Sequence, residues 1–419
     1  MRIAVFDVTE PIVRRLTATL FAGQSIASLG MTAAITVGSI AAAELFGTTA
    51  LGGVPTTMYV LGTALGAYPA GRFMNLRGRR AGLALGFLVG VLGASFGAFA
   101  LMGLIPLLLF AGHLIMGLSR GALDQGRYAA GDLVTQEHRA RAISWVVLGG
   151  VVGGIGGPLF IAPAGRFAAQ LGLNPLAGPY LAGAILFLFG SAMMFALLRP
   201  DPRDVARQLA RVDVTLPVDS TRPRTFWEAF RSYNVQTAVA AMMLGQVVMT
   251  SVMVMTPLQI TEHLHHTLED VSLVIAAHVT GMYATSLITG RVADRVGHAR
   301  TILIGAFLLI LACVLVPFAN DTWRLAAAMF VLGAGWNFCF VAGSSLLTDS
   351  LRPNERARIQ GTNDLLVGLV AAAGSLMSGF VFATIGYIGI AFAGIMLAVS
   401  LFVITLWIVQ RENALPRTE

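Results

Sequence analysis

Gly71-Arg-Phe-Met-Asn75-Leu-Arg-Gly78-Arg-Arg80 is a basic, glycine-punctuated stretch between two long apolar runs, and the chain carries it twice. It returns as Gly290-Arg-Val-Ala-Asp294-Arg-Val-Gly297-His-Ala-Arg300, 219 residues on when the leading glycines are matched. A second pair keeps the same period. Asp132-Leu-Val-Thr-Gln-Glu-His-Arg139-Ala-Arg141 recurs as Asp349-Ser-Leu-Arg-Pro-Asn-Glu-Arg356-Ala-Arg358, at an offset of 217. The sequence therefore reads as two copies of one unit, residues 1–198 and 232–419. The connecting stretch 199–231 holds Pro200, Pro202, Pro217 and Pro223, with 7 Arg against 5 acidic residues, and is read as a cytoplasmic linker.

Outward from these loops, the chain is a series of apolar runs of about 20 residues, the length an α-helix needs to cross roughly 30 Å of hydrocarbon. Twelve runs lie near 17–41, 52–71, 82–104, 107–128, 142–163, 177–198, 234–259, 271–290, 301–319, 325–348, 360–383 and 387–409. Only 12% of the 419 residues are charged, against about 25% in a soluble domain, while 56% are hydrophobic. The mean hydropathy is +0.77. Helices and closed barrels alone satisfy their backbone inside lipid, and runs this long exceed barrel strands. The expectation is an all-α membrane protein of twelve transmembrane helices in two six-helix repeats. Small residues let helices approach closely in a bilayer, which suits the 47 glycines.

The net charge of +7 does not describe a nucleic-acid-binding surface. All 28 basic residues are Arg, and 24 of them fall in alternate connections and the two tails. Arg166 and Arg324 occupy the opposite side, and Arg120 and Arg127 lie in or at the end of the fourth run. By the positive-inside rule both termini are cytoplasmic. The chain is expected as a multi-pass protein of the bacterial cytoplasmic (inner) membrane, monomeric, with the lipid bilayer as its surrounding. Residues 1–15 contain Asp7 and Glu10 and no apolar core, so a cleavable secretory signal is not expected. HExxH, GxSxG, P-loop and GxGxxG patterns in a suitable context are lacking, which argues against an enzyme.

Charges at membrane depth are costly and point to function. Arg120 and Asp124 are spaced i,i+4, and Asp124 and Arg127 i,i+3, so they can pair along one face of run 4, with Asp132 near its end. Asp364 lies early in run 11. Two readings stay open for these groups: ion pairs that rearrange during gating, or a carboxylate that exchanges a coupling proton. In run 5, Gly153, Gly157 and Pro158 form a motif suited to close packing and bending.

Met249-x-x-x-Met253 in run 7 and His278-x-x-x-Met282 in run 8 each place two side chains on one helical face, near mid-depth. Thioether and neutral imidazole are ligands for soft Cu(I). His263, His265 and His266, in the short connection between the two runs, are candidates for collecting a metal at the outer mouth. Cys313 and Cys339 lie in separate runs with no CxxC pattern, and read as small buried hydrophobes.

The loops GxxxNxxGRR and GxxxDRxGxxR resemble the signature loop of the major facilitator superfamily, and the likeness extends over nearly the whole chain. It implies alternating access about a midplane site between two repeats. Asn75, Arg80, Asp294 and Arg295 are the gating positions it implies. The first copy departs from the pattern at Asn75, where an Asp is usual, so the first gate is expected to rest on other pairs. The run-5 motif is similar to that of superfamily antiporters, without the GG that ordinarily follows the proline. The pairs MxxxM and HxxxM look like the motifs of the CcoA-like branch, with similar text at Met255-Thr-Pro257-Leu, Arg127-Tyr-Ala-Ala-Gly-Asp132 and Gln360-Gly-Thr-Asn-Asp364. That likeness implies Met249, Met253, His278 and Met282 as copper-handling residues, and Cu(I) import for cytochrome oxidase assembly. Copper is then the transported substrate, and no cofactor is expected. The branch also suggests importers of organic solutes such as riboflavin. Proton-coupled transport of a small organic molecule, inward or as drug-type export, is therefore the alternative. A copper-binding sensor without transport is the second.

Overall fold

The computed structural model describes residues 11–103, 105–134, 136–205, 222, 224–352 and 355–414. Among these residues the regular structure is helical throughout, with no strand. The helices form twelve spans in chain order. In the first repeat α1 is Pro11–Phe46, α2 Val54–Arg77 and α3 Arg79–Leu101. Helix α4 runs Leu108–Leu123 and resumes as Gly126–Gly131, α5 runs Gln136–Leu159 and resumes as Ile161–Gln170, and α6 is Ala177–Leu197. In the second repeat α7 is Tyr233–Leu258, α8 Leu268–Ala284 resuming as Ser286–Val296, α9 His298–Leu315, α10 Thr322–Asp349, α11 Arg356–Ile385 and α12 Tyr387–Ala414. Much of the linker, 206–221 and residue 223, lies outside the described residues.

Eight of these spans are long and apolar enough on their own to cross a membrane, and α5 and α8 qualify as bent pairs. The two that fall short, α2 and α4, are the ones whose sequence is least lipid-like. Helix α2 is diluted by Thr, Gly, Tyr and Pro69, and α4 carries Arg120 and Asp124 and is interrupted there. Gly62 of α2 and Gly117 of α4 serve contact between these helices rather than with lipid.

Contacts divide the chain into two compact units, Met1–Gly47 with Met58–Pro217, and Thr48–Thr57 with Val218–Glu419. Thr48–Thr57 joins the second unit through α11. The Ser375 hydroxyl donates to the Gly53 carbonyl at 2.9 Å, and the Thr57 hydroxyl donates to that of Ala372 at 3.0 Å. A Cβ on Gly53 would fall 1.7 Å from the Ser375 carbonyl oxygen, so only glycine fits.

The sequence repeat is also a packing repeat. In the first unit α2 crosses α4 at Gly62 and Gly117, and a Cβ on either would lie 2.1 Å from a backbone oxygen, of Leu114 and Tyr59 respectively. In the second unit α8 crosses α10 at Gly281 and Gly333. There a Cβ would lie 2.2 Å from the Phe330 oxygen and 2.3 Å from that of His278. The glycine of each signature loop has its own reason. Gly78 (φ 97°) and Gly297 (φ 89°) turn the chain between consecutive helices in a conformation that a side chain disfavours.

Candidate functional sites

In the first unit the signature loop is held by charges from both sides. Arg79 Nε pairs with Asp132 at the end of α4, at 2.9 Å. The Asp201 carboxylate accepts from the backbone N–H of Arg79 and of Arg80, both at 3.0 Å, and so caps the start of α3. Arg203 donates to the carbonyls of Asn75 (3.2 Å) and Leu76 (3.0 Å) at the end of α2, where orphan carbonyls favour a cation. Arg80 lies 4.5 Å over the Phe195 ring. Arg79, a residue the sequence reading did not single out, makes the ion pair with Asp132. In the second unit the same place holds His298 and Asp349, Nε2 to Oδ2 at 3.1 Å. Asn75, Asp294 and Arg295 are exposed.

Of the charges on α4, Arg120 and Asp124 lie together. Arg120 Nε meets Asp124 Oδ1 at 2.9 Å, and Arg120 Nη1 donates to the Ser28 hydroxyl on α1 at 3.2 Å. Gln24, also on α1, reaches Asp124 at 3.4 Å. Arg127 is not part of this pair. It turns to its neighbour Tyr128, whose hydroxyl accepts at 3.0 Å and whose ring lies 4.8 Å away. Asp364 is exposed, whereas its neighbour Asn363 is buried and donates to the sulfur of Met242 at 3.5 Å. On α5, Gly153 and Gly157 lie against the backbone of α1. Cβ atoms there would stand 2.0 Å from the Ser25 oxygen and 2.8 Å from that of Leu29. The motif therefore serves close packing of α5 on α1, with Pro158 one residue beyond.

The soft-ligand candidates are spread over two helices that pack on α10 more than on each other. His278 is fully buried on α8. Its Nδ1 bonds the Met329 carbonyl on α10 at 3.0 Å, and Nε2 has no partner among the described residues. Met249 is buried, and Met253 and Met282 are half-buried. In the outer connection the histidines go separate ways. His266 Nδ1 meets the Thr322 hydroxyl at 2.9 Å, which itself donates to Asp270 at 2.7 Å. His263 stands edge-on to Phe382 at 5.2 Å between centroids, and His265 occupies a left-handed conformation with φ 53°. Among the described residues no group of three or more His, Cys, Asp or Glu is placed to hold a metal ion. Cys313 and Cys339 are buried free thiols.

A polar and aromatic group that the sequence reading passed over lies between α7 and α10. The Trp336 indole N–H donates to Gln246 Oε1 at 2.8 Å, and Gln246 Nε2 donates to the Thr250 hydroxyl at 3.0 Å. Trp336 stacks on Phe340, one turn further along α10, at 4.9 Å and 17°. The internal period was the signal that could have found it. Gln246 is 218 residues after Ser28, and Trp336 is 216 after Arg120. The α7–α10 bond is the repeat of the α1–α4 bond.

This architecture, with matched glycine crossings and matched loops in two units, defines a secondary transporter. The chain belongs to the Major Facilitator Superfamily, whose sequence profile matches residues 20–260 and 239–419. It is 34% identical over 386 residues to the uncharacterized MFS-type transporter YdeG of Bacillus subtilis, covering 92% of this chain and 89% of that one. It is 30% identical over 372 residues to the riboflavin transporter RfnT of Brucella anthropi, covering 87% and 88%. Among solved structures, the fold is similar to that of a bacterial homologue of the iron transporter ferroportin in its inward-facing state. That match has a TM-score of 0.70 at 15% identity, over 94% of this chain and 98% of that one.

Proposed function

We propose that the chain carries a small organic solute of the riboflavin class across the bacterial cytoplasmic membrane, inward, by alternating access. The observation that carries this reading is the 30% identity to a riboflavin transporter along 87% of the chain. The polar furniture of the spans agrees with it. In the second unit an amide, a hydroxyl and an indole suit a molecule with hydrogen-bonding edges better than a bare soft cation. Copper, the leading expectation from Met249, Met253, His278 and Met282, gives way to the organic solute. The riboflavin transporter is matched along 87% of the chain, and its name is a vitamin's. Both termini are placed in the cytoplasm on the arginine asymmetry. Protons are the candidate coupling ion.

The test is uptake in cells that lack their own riboflavin synthesis and import. Expression of the chain should support growth on low riboflavin and accumulate labelled riboflavin, with radiocopper uptake equal to the vector control. Radiocopper accumulation that disappears in the Met249→Ala/Met253→Ala variant, without uptake of any organic solute, would overturn the proposal and restore copper.

A further inference from the structure

Gln246, Met249, Thr250 and Met253 are spaced i, i+3, i+4 and i+7, which places all four on one stripe of α7. Two of them hydrogen-bond to each other, and Gln246 is bonded to Trp336 on α10. The two methionines first read as metal ligands therefore share a face with an amide, a hydroxyl and an indole.

Trp336 differs from every other tryptophan of the chain. Trp145, Trp227, Trp323 and Trp407 are 45–74% exposed, and Trp336 is 9% exposed. A buried indole N–H left without an acceptor costs about 1–3 kcal/mol, so a residue that only fills space here would be better as Leu. The other faces of α10 are already used for helix seams. Asn337 donates to the Met282 carbonyl and the Ser286 hydroxyl on α8, both at 2.7 Å. Cys339 and Gly335 press on Gly305 and Leu309 of α9. Trp336 and Phe340 lie on the stripe toward α7, Trp336 through its bond to Gln246 and the half-buried Phe340 with part of its ring against a core cluster that includes Val239 and Met242. Phe340, Gln246 and Met253 are half-buried, with Trp336 and Met249 more deeply covered. Only one N–H of the Gln246 amide is taken, by Thr250; the other has no partner among the described residues.

We infer that this group recognises the ring system of a planar heteroaromatic solute. Phe340 offers an aromatic face, the spare Gln246 N–H meets an acceptor on the ring edge, and the thioethers of Met249 and Met253 form an adaptable wall against the ring. Trp336 is the positioning residue. By donating to Oε1 it fixes which end of the amide carries the spare N–H, and by stacking it holds the Phe340 ring plane. The inference rests on the organic-solute reading and narrows it to flat rings.

The experiment uses the full chain in lipid nanodiscs, with riboflavin, lumichrome (the ring without the ribityl chain) and ribitol (the chain without the ring) as probes. Binding is read by flavin fluorescence and by calorimetry. Riboflavin and lumichrome should bind and ribitol should not. Gln246→Leu and Phe340→Leu should each weaken ring binding about tenfold, equal to about 1.4 kcal/mol, measured at a temperature where each variant is fully folded. Trp336→Phe keeps the stack and loses the N–H. It should match Gln246→Leu in affinity, and combining the two should add little. Ring binding unchanged in Gln246→Leu and Phe340→Leu overturns the inference and leaves the organic-solute reading intact. So does a wild type that binds ribitol and neither ring. A wild type that takes up copper and binds none of the three probes overturns both.

Discussion

Glu355 is fully buried in the connection between α10 and α11, and its carboxylate is answered from several directions. Arg224 Nε donates to both oxygens at 3.0 and 3.2 Å, Arg224 Nη2 donates as well, and the backbone N–H groups of Arg224 (2.9 Å) and Arg352 (3.0 Å) complete the set. The Arg224 hydrogen bonds, opposed by burial, bring the Glu355 carboxyl down to about 2. The two partners are not equivalent: the Glu355 side chain is 0% exposed and that of Arg224 31%. Removing one member of a buried pair costs about 3–5 kcal/mol because a charge is left behind. Which member is removed decides the size. Arg224→Ala leaves a buried carboxylate with only backbone donors, for a loss of about 3 kcal/mol. Glu355→Gln leaves a guanidinium that can turn to water, for a loss of about 1–2 kcal/mol. The double variant should recover more than 1 kcal/mol of the summed losses, because the two sites share one interaction.

Thermal unfolding of the purified chain at fixed detergent and salt reads these differences. At about 2–4 °C per kcal/mol, Arg224→Ala should lower the midpoint by about 6–12 °C and Glu355→Gln by about 2–8 °C. The pH dependence gives a second readout. In wild type the lowered carboxyl contributes fully above the ordinary glutamate range, and that contribution fades as pH falls toward about 2. In Arg224→Ala the carboxyl is buried without a cation, which raises its pKa and lets acid neutralise it. The gap to wild type should therefore narrow between pH 8 and pH 5. A midpoint for Arg224→Ala within about 2 °C of wild type, or a gap that widens in acid, would refute the reasoning.

Three further outcomes are expected. Gly281→Ala places a methyl carbon 2.2 Å from the Phe330 oxygen and must spread α8 from α10, a loss of about 1–3 kcal/mol; Gly290→Ala, which meets nothing within 4 Å, should keep the wild-type midpoint and serves as its control. Asp124→Asn removes the ionic partner of Arg120 and should slow solute uptake several-fold; uptake equal to wild type would show that the pair is not needed for transport. Cys313 and Cys339 are buried, so a maleimide should label neither in the native protein and both after unfolding in SDS, as read by mass spectrometry.

The helical, two-repeat architecture was legible in the sequence because its causes are local: run length, arginine placement and the twice-used loop. The loop glycines could also be read, since the bend they make needs a positive φ in both copies. Partner choice was harder. Arg79 rather than Arg80 meets Asp132, and the reason is the fold of the linker start, where Asp201 fixes the Arg79–Arg80 backbone from 121–122 residues away. The methionine and histidine pairs were found at helical spacing, but spacing says which residues share a face and not what that face meets. His278 turned out to address the backbone of α10. Gln246 and Trp336 carry no local motif at all. Their pairing depends on the crossing of α7 and α10, which only the long period between the two halves announces.

That period separates what the scaffold needs from what the cargo needs. Where backbone meets backbone, the repeats agree: Gly62 and Gly117 match Gly281 and Gly333, and Gly78 matches Gly297. At the loop pairs they keep the contact and change its chemistry, from Arg79–Asp132 to His298–Asp349, a pair that is ionic only while the imidazole is protonated. Between the helices, where the first unit has Ser28, Arg120 and Asp124, the second has Gln246, Trp336 and Phe340. Packing alone would keep such matched positions alike, as it does the glycines. Their divergence, in two helix pairs that otherwise repeat, marks the positions where each unit departs from the shared scaffold. The residues that set specificity are therefore to be sought where the two halves of this chain disagree.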